Sequence, residues 1–525
     1  MSEDGVRRAN AEPLGGAVKP GLTELSLRAI KWNYLGLVVR VLAQVVAQIA
    51  LARMLGPEPF GLFAAAFVVI GIGSILAELG LGSALVQKKQ LTDADVRFAF
   101  TWLMLAGLLM SGITYLMAGT IADFFEDERI SAVLRGLAPV YFLQALGIVP
   151  LALLRREMEF KTIQIIQIVS YLVGYVVVGI GLAQWGAGVW SLVAAWTGQA
   201  ALASALFLLV KRHTMTPRLR VSDSASGKFS TRVLLTNMAN WVIENVDNVI
   251  VGKAFGPIAL GLYSVSYNLV RTPANHLVVT LQSVLFPASS RAQDNLAGLQ
   301  KAYLTVVSGV CLIAVPVFGG MAMVADTLTI ALFGAQWRDA ADLLLPLALS
   351  MVLHSVMAVA GPVLWGKGAA GAELRVQFWV GILFVAALLA AAQFSVVALA
   401  WTVCAVYAAR MAGMTMALVR QIELPRRALW HALRGGLLAA ALVLPVLLAC
   451  DAWLAAWDPL PRLTVEIAMA GSVLLVFVTA APRYALSNEL LSVAQKLLSR
   501  TPLARLYLLR RIQAAQTGPG PRSWL

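Results

Sequence analysis

Gly56-Pro-Glu-Pro-Phe-Gly-Leu-Phe63 returns 200 residues later as Gly256-Pro-Ile-Ala-Leu-Gly-Leu-Tyr263, and the offset persists at Ser83/Ser283 and Leu85/Leu285. A Gly-Pro pair ends a helix and turns the chain. That accounts for each turn alone, but not for the common spacing around both. The surroundings of the two copies are strongly apolar. Of 525 residues 59% are hydrophobic and 13% charged, with a mean hydropathy of +0.78, whereas soluble chains carry roughly 25% charged residues. No polar stretch is long enough to form a soluble domain, so the chain reads as an all-α integral membrane protein.

A helix needs about 20 apolar residues to cross the hydrocarbon. That ruler predicts about fourteen transmembrane helices, at 32–54, 60–80, 98–121, 132–154, 163–183, 188–210, 233–255, 258–286, 302–324, 342–365, 375–391, 395–418, 432–450 and 463–482. Charge supports the count. The formal net charge of +14 comes in short basic clusters at alternate loops, and 32 of the 41 Lys/Arg fall on one side, including six between Lys211 and Arg232. The opposite loops are acidic, as in Asp123-Phe-Phe-Glu-Asp-Glu128. This is the positive-inside pattern, not a phosphate groove for nucleic acid, and it places both termini in the cytoplasm.

Six predicted spans separate the two Gly-Pro copies, so both units enter the membrane in the same direction. The expected organisation is a cytoplasmic N-terminus with an amphipathic helix (1–31), an N-lobe (32–210), a cytoplasmic linker (211–232), a C-lobe (233–418), two added spans (419–482) and a basic cytoplasmic tail (483–525). The tail and the amphipathic helix suit a bilayer with anionic headgroups. Parallel repeats of this kind occur in transporters that rock one lobe against the other.

Polar residues inside the spans need an account, since a charge at the bilayer centre costs about 2.5–3.5 kcal/mol even on insertion scales. Arg40, Gln44 and Gln48 form one stripe of the first span, and Asn237, Asn240, Glu244, Asp247 and Asn248 one stripe of the seventh. The 200-residue offset sets Arg40 opposite Asn240, Gln44 opposite Glu244 and Gln48 opposite Asn248. The same face is therefore polar in both lobes and is expected to line a shared wet cavity. The eighth span adds Tyr267, Arg271 and Asn275, and the twelfth adds Arg410. Two accounts of Arg271 stand side by side: a structural ion pair with Glu244 or Asp247, or a guanidinium that binds phosphate oxygens. Arg53 and Lys367 sit at span ends and read as snorkelling toward headgroups. His354 lies mid-span. Trp185, Trp190, Trp453 and Trp457 read as interfacial anchors. Cys311, Cys404 and Cys450 lack disulfide or metal spacing and read as small buried hydrophobes.

Fourteen spans, two six-span lobes and Gly-Pro-x-x-x-Gly-Leu-aromatic after spans 1 and 7 resemble the multidrug/oligosaccharidyl-lipid/polysaccharide (MOP) exporter superfamily, whose fold is MATE-like. Within it, Asn245-Val-Asp247-Asn248-Val-Ile-Val-Gly252 followed by Gly256-Pro257 and Gly261-Leu262-Tyr263 is similar to the polysaccharide transport family. That resemblance implies a flippase, not an enzyme, exporting an undecaprenyl-diphosphate-linked oligosaccharide across the bacterial inner membrane for lipopolysaccharide, capsule or exopolysaccharide synthesis. It also implies polymerase and glycosyltransferases of the same pathway as partners. Related peptidoglycan-precursor flippases carry cavity arginines in the first, second and eighth spans. Arg40 and Arg271 match two of these, while the second span has only Glu78. The substrate-binding set expected here is Arg40, Gln44, Gln48, Asn240, Tyr267, Arg271, Asn275 and Arg410, and the ion-coupling set is Glu244, Asp247 and Asn248. No cofactor or metal is expected beyond coupling to H+ or Na+ and the membrane potential.

Two alternatives remain at this stage. A cation-coupled multidrug exporter shares the superfamily, but its site should be more acidic and aromatic. A membrane glycosyltransferase or polymerase needs a larger catalytic loop than any here. The sequence has no nucleotide-binding Gly-x-x-x-x-Gly-Lys-Ser/Thr motif and nothing resembling a channel's selectivity filter.

Overall fold

The computed structural model describes residues 22–88, 90–219, 225–291, 295–487 and 489–491. The extreme N-terminal residues, part of the predicted linker and nearly all of the basic tail lie outside them. Among the described residues every regular element is helical: α1 (Leu22–Leu55), α2 (Pro57–Glu78), α3 (Leu81–Gln87), α4 (Asp93–Phe125), α5 (Arg129–Leu137), α6 (Val140–Arg156), α7 (Phe160–Tyr171), α8 (Ile180–Gln184), α9 (Val189–Val210), α10 (Ala225–Arg291), α11 (Leu296–Met323), α12 (Ala325–Phe333), α13 (Ala340–Met357), α14 (Ala360–Gly366), α15 (Ala370–Ala391), α16 (Val396–Ile422), α17 (Arg426–Trp453), α18 (Pro459–Ala480) and α19 (Pro482–Ala485). A π-helical segment, Leu172–Gly179, joins α7 to α8.

Twelve helical runs among the described residues are long and apolar enough to cross a membrane. The difference from fourteen has two sources. The run Asn240–Val279 counts once although it bends at Gly256, and α1 is not among the twelve. Gly256 has φ 78° and ψ −177°, and Gly56 between α1 and α2 has φ 75° and ψ −179°. Only glycine enters that region readily, so the repeated Gly-Pro is a repeated backbone conformation. Helix starts elsewhere follow ordinary chemistry. Thr92 and Asp95 form a reciprocal capping box on α4, and the side chains of Asn295 and Ser395 accept from Gly298 N and Ala398 N at the starts of α11 and α16.

The helices pack in two groups. In the first lobe α4, α6 and α9 pack together with α2 and α7, and in the second α11, α13 and α16 pack with α10. α17 rests on α11 and against α18. Arg462 of α18 ties this pair down: it donates to Asp451 and, at 3.2 Å, to Glu466, while Thr327 of α12 reaches Asp451 at 3.2 Å. The apolar window of the α13–α14 run is 67% buried, against 17% in α15. The remaining apolar surface faces outward, as hydrocarbon solvent permits. Trp185, Trp190, Trp453 and Trp457 are all exposed, as interfacial anchors must be. Cys311 is buried, Cys404 and Cys450 half-buried, and all three are free thiols.

The lobes meet most closely through α2 and α10. A Cβ at Gly61 would lie 1.6 Å from the Pro257 carbonyl oxygen, and one at Gly261 would lie 2.0 Å from that of Pro57. The second glycine of each repeat is thus what lets the two copies touch, backbone to backbone. Around that contact, Arg53 donates to the carbonyls of Leu332, at 2.7 Å, and Ala331. It caps the end of α12, so it is held by the opposite lobe and does not snorkel. Trp337 Nε1 donates to Ala52 O at 2.9 Å, Gln336 Nε2 donates to Arg53 O at 2.8 Å, and Lys253 pairs with Glu126 at 2.7 Å. Lys367 likewise donates to Gln421 O and does not reach outward.

Candidate functional site

Among the described residues the polar stripes line a hollow in each lobe. The larger, about 580 Å³, lies in the second lobe and takes Asn240, Glu244, Tyr267, Arg271, Asn275 and Arg410 from α10 and α16. The smaller, about 390 Å³, lies in the first lobe and takes Arg40 and Gln44 from α1. Trp241, between the cavity residues Asn240 and Glu244, packs on α2 of the other lobe, where a Cβ at Gly71 would lie 2.6 Å from its Nε1.

In the second-lobe cavity Arg271 Nη2 is 2.7 Å from Glu244 Oε2, with the arginine side chain 22% and the glutamate 56% exposed. The Arg271 guanidinium also lies 5.4 Å from the centre of the Tyr267 ring, a cation–π arrangement. Tyr267 Oη sits 3.2 Å from Tyr407 Oη, and the His354 ring packs edge-on to Tyr407 at 5.7 Å. Arg410 is in no ion pair among the described residues, and its Nε is buried without a hydrogen-bond partner. Glu373 and Gln377 complete the polar wall, Gln377 Nε2 donating to Glu373 Oε1 at 3.5 Å.

Asp247 and Asn248, expected beside Glu244, line neither cavity. Asp247 is 2% exposed and accepts from Tyr263 Oη at 2.8 Å and from Asn248 N at 2.8 Å. Both residues lie on the same face of the helix as Glu244 but about one turn further along it, where α10 is buried: Ile250 and Val251 beside them are buried too. Gln48, the repeat-mate of Asn248, is likewise absent from the first-lobe cavity wall.

In the first-lobe cavity Arg40 Nη1 donates to Gln167 Oε1 at 2.5 Å, and Ser74 Oγ donates to Gln144 Oε1 at 3.2 Å. Trp196 and Gln199 of α9 and Glu78 of α2 complete it. Sequence reasoning did not single out Gln144, Gln167, Trp196 or Gln199, nor Tyr407, Glu373 and Gln377 opposite. Some signal was there: Gln167 follows Gln164 at i+3 and Gln377 follows Glu373 at i+4, each pair on one helix face, whereas Gln144 and Tyr407 stand alone in apolar runs.

Two lobes of membrane-crossing helices, touching along an axis between paired Gly-Pro turns and each enclosing a polar cavity, define a two-lobed membrane transporter fold. The chain belongs to the polysaccharide biosynthesis protein family, whose profile matches residues 50–342. The lipopolysaccharide biosynthesis protein WzxC of Escherichia coli (strain K12) is 22% identical over 378 residues, covering 71% of this chain and 76% of WzxC. Among solved structures, the lipid II flippase MurJ in an inward closed conformation gives a TM-score of 0.66 at 12% identity, covering 87% of this chain and 98% of MurJ. An inward-facing MATE multidrug transporter of the MOP superfamily gives 0.58 at 17% identity, covering 73% and 93%. At these identities the structures speak for the fold, which is the MATE-like one the repeat predicts.

Proposed function

We propose that this protein flips an undecaprenyl-diphosphate-linked oligosaccharide repeat unit from the cytoplasmic to the periplasmic leaflet of a bacterial inner membrane by alternating access, in the synthesis of lipopolysaccharide, capsule or exopolysaccharide. Arg410 carries the reading. It stands in the membrane-crossing helix α16 on the wall of the second-lobe cavity, in no ion pair among the described residues and with its Nε buried without a hydrogen-bond partner. A guanidinium stays charged at any working pH and binds phosphate oxygens bidentately. Leaving it unpaired at membrane depth is costly unless an anion is to come. Family membership and the likeness to WzxC support a glycan-bearing anion over a drug cation. The basic flanks support cytoplasmic termini.

The energetics favour the same direction. Moving one charge across 100 mV is worth ~2.3 kcal/mol, so about two negative charges leaving a negative interior gain roughly 5 kcal/mol per 100 mV. Coupling to H+ or Na+ is then needed only to return the empty, positively charged carrier. The greater exposure of Glu244 in its pair with Arg271 supports it as the carboxylate that takes that cation. The test is reconstitution in liposomes with a fluorescent undecaprenyl-diphosphate oligosaccharide. Wild type should translocate it, Arg410→Gln should lower the rate at least tenfold, and Arg338→Gln on an exposed turn should not. A wild-type protein that leaves the lipid unmoved, or an Arg410→Gln rate equal to wild type, overturns the proposal.

A further inference from the structure

We infer that the first-lobe cavity is a sugar-binding subsite, which reads the uncharged hydroxyl face of the cargo's glycan while the second lobe holds the anion. This rests on the flippase reading above and adds a division of labour between the lobes. The lining carries the argument. Gln44 of α1, Gln144 of α6, Gln167 of α7 and Gln199 of α9 converge on one cavity from four helices. Ser74 and Trp196 join them. A carboxamide offers both two donors and an acceptor, and an indole offers a donor. A hydroxyl also donates and accepts, so a wall of amides is matched to hydroxyls and mismatched to a bare phosphate, which only accepts.

Helix association alone does not account for the set. Interhelical amides acting as glue pair with one another, whereas here no hydrogen bond among the described residues joins two of the four glutamines: Gln144 Oε1 accepts from Ser74 Oγ and Gln167 Oε1 from Arg40 Nη1. The one charged donor, Arg40, is engaged by the neutral Gln167 at 2.5 Å. The volume of about 390 Å³ falls within the ~300–1,000 Å³ of small-molecule pockets. The second-lobe cavity has a different chemistry: two arginines, two carboxylates and two tyrosines.

The experiment measures equilibrium binding to purified protein in nanodiscs with two probes: undecaprenyl diphosphate alone, and the same lipid carrying the oligosaccharide extracted from producing cells. Wild type should bind the glycosylated lipid at least tenfold more tightly. Gln144→Leu/Gln199→Leu should bind both lipids alike, at the wild-type affinity for the bare one. Trp196→Phe keeps the ring packed edge-on against Phe67 at 4.9 Å but removes the N–H, and should lose several-fold of the preference without loss of folded protein. Equal binding of both lipids by wild type, or a full preference retained in both variants, overturns the subsite and leaves the flippase reading standing. A variant that weakens both lipids equally also overturns it, since the amides would then be structural. If wild type binds neither lipid, both readings fall together.

Discussion

Arg271 Nη2 lies 2.7 Å from Glu244 Oε2, so the two limbs of the bent helix α10 are joined by an ion pair on the wall of the larger cavity. The pair is lopsided, with the carboxylate more than half exposed. Exposed pairs contribute only about 0–1 kcal/mol, whereas breaking a buried one costs ~3–5 kcal/mol. Arg271→Ala should therefore leave folded protein within about twofold of wild type while export falls at least tenfold. Arg271→Lys keeps the charge but loses the fork and should fall between. Immunoblotting and a glycan-export assay read the two effects separately. Recovery of both yield and export in Arg271→Ala/Glu244→Gln would show that the arginine serves only as a strut.

Gly61 and Gly261 are the points of closest backbone contact between the lobes at the Gly56/Gly256 end. Their missing side chains leave room for backbone alone, since a Cβ at either would meet a proline carbonyl at 1.6 or 2.0 Å. Backbone cannot swing aside as a side chain can. Gly61→Ala should force the lobes apart at this end and release the contacts around Arg53 and Trp337 that close with it. In a chain without its native cysteines, disulfide formation between Arg53→Cys and Leu332→Cys should drop several-fold on adding Gly61→Ala. Undiminished cross-linking would show that the end closes without the glycine contact.

The same end should respond to acid. The hydrogen bond from Lys253, and then its charge, hold the Glu126 carboxyl below the ordinary value of 4.5. A carboxylate depressed in this way favours the closed arrangement fully above the ordinary value and loses that effect as pH falls through the lowered one. Closure measured by the distance between spin labels on Glu128→Cys and Ile258→Cys, exposed residues on the same two segments, should be flat from neutral pH to about 5 and weaken only below about 4.5. Glu126→Gln should remove the acid step.

Topology gives a test independent of the cavities. A reporter active only in the periplasm, fused after Arg220 in the basic linker, should stay silent, and one fused after Asp127 should be active. Activity at Arg220 would break the fourteen-span, cytoplasmic-termini scheme on which the direction of transport depends.

The sequence by itself determined the class of the protein. Hydrocarbon solvent demands long apolar helices, so composition and span length were enough to give an all-helical membrane fold. An internal repeat needs only comparison of the chain with itself, so Gly56-Pro57 and Gly256-Pro257 announced the two lobes. It also marked Arg40, Gln44, Asn240, Glu244, Tyr267, Arg271 and Asn275 as facing a polar interior, because periodicity reports which face of a helix is polar, whereas Arg410 stood alone in its span. Only the tertiary structure decided how those faces meet. Trp241 lies against Gly71 of the other lobe, Asp247 turns inward to Tyr263, and Gln44 shares a hollow with Gln144, Gln167 and Gln199. Each of these depends on contacts between residues distant in the chain, and periodicity along one helix carries no information about what stands opposite it.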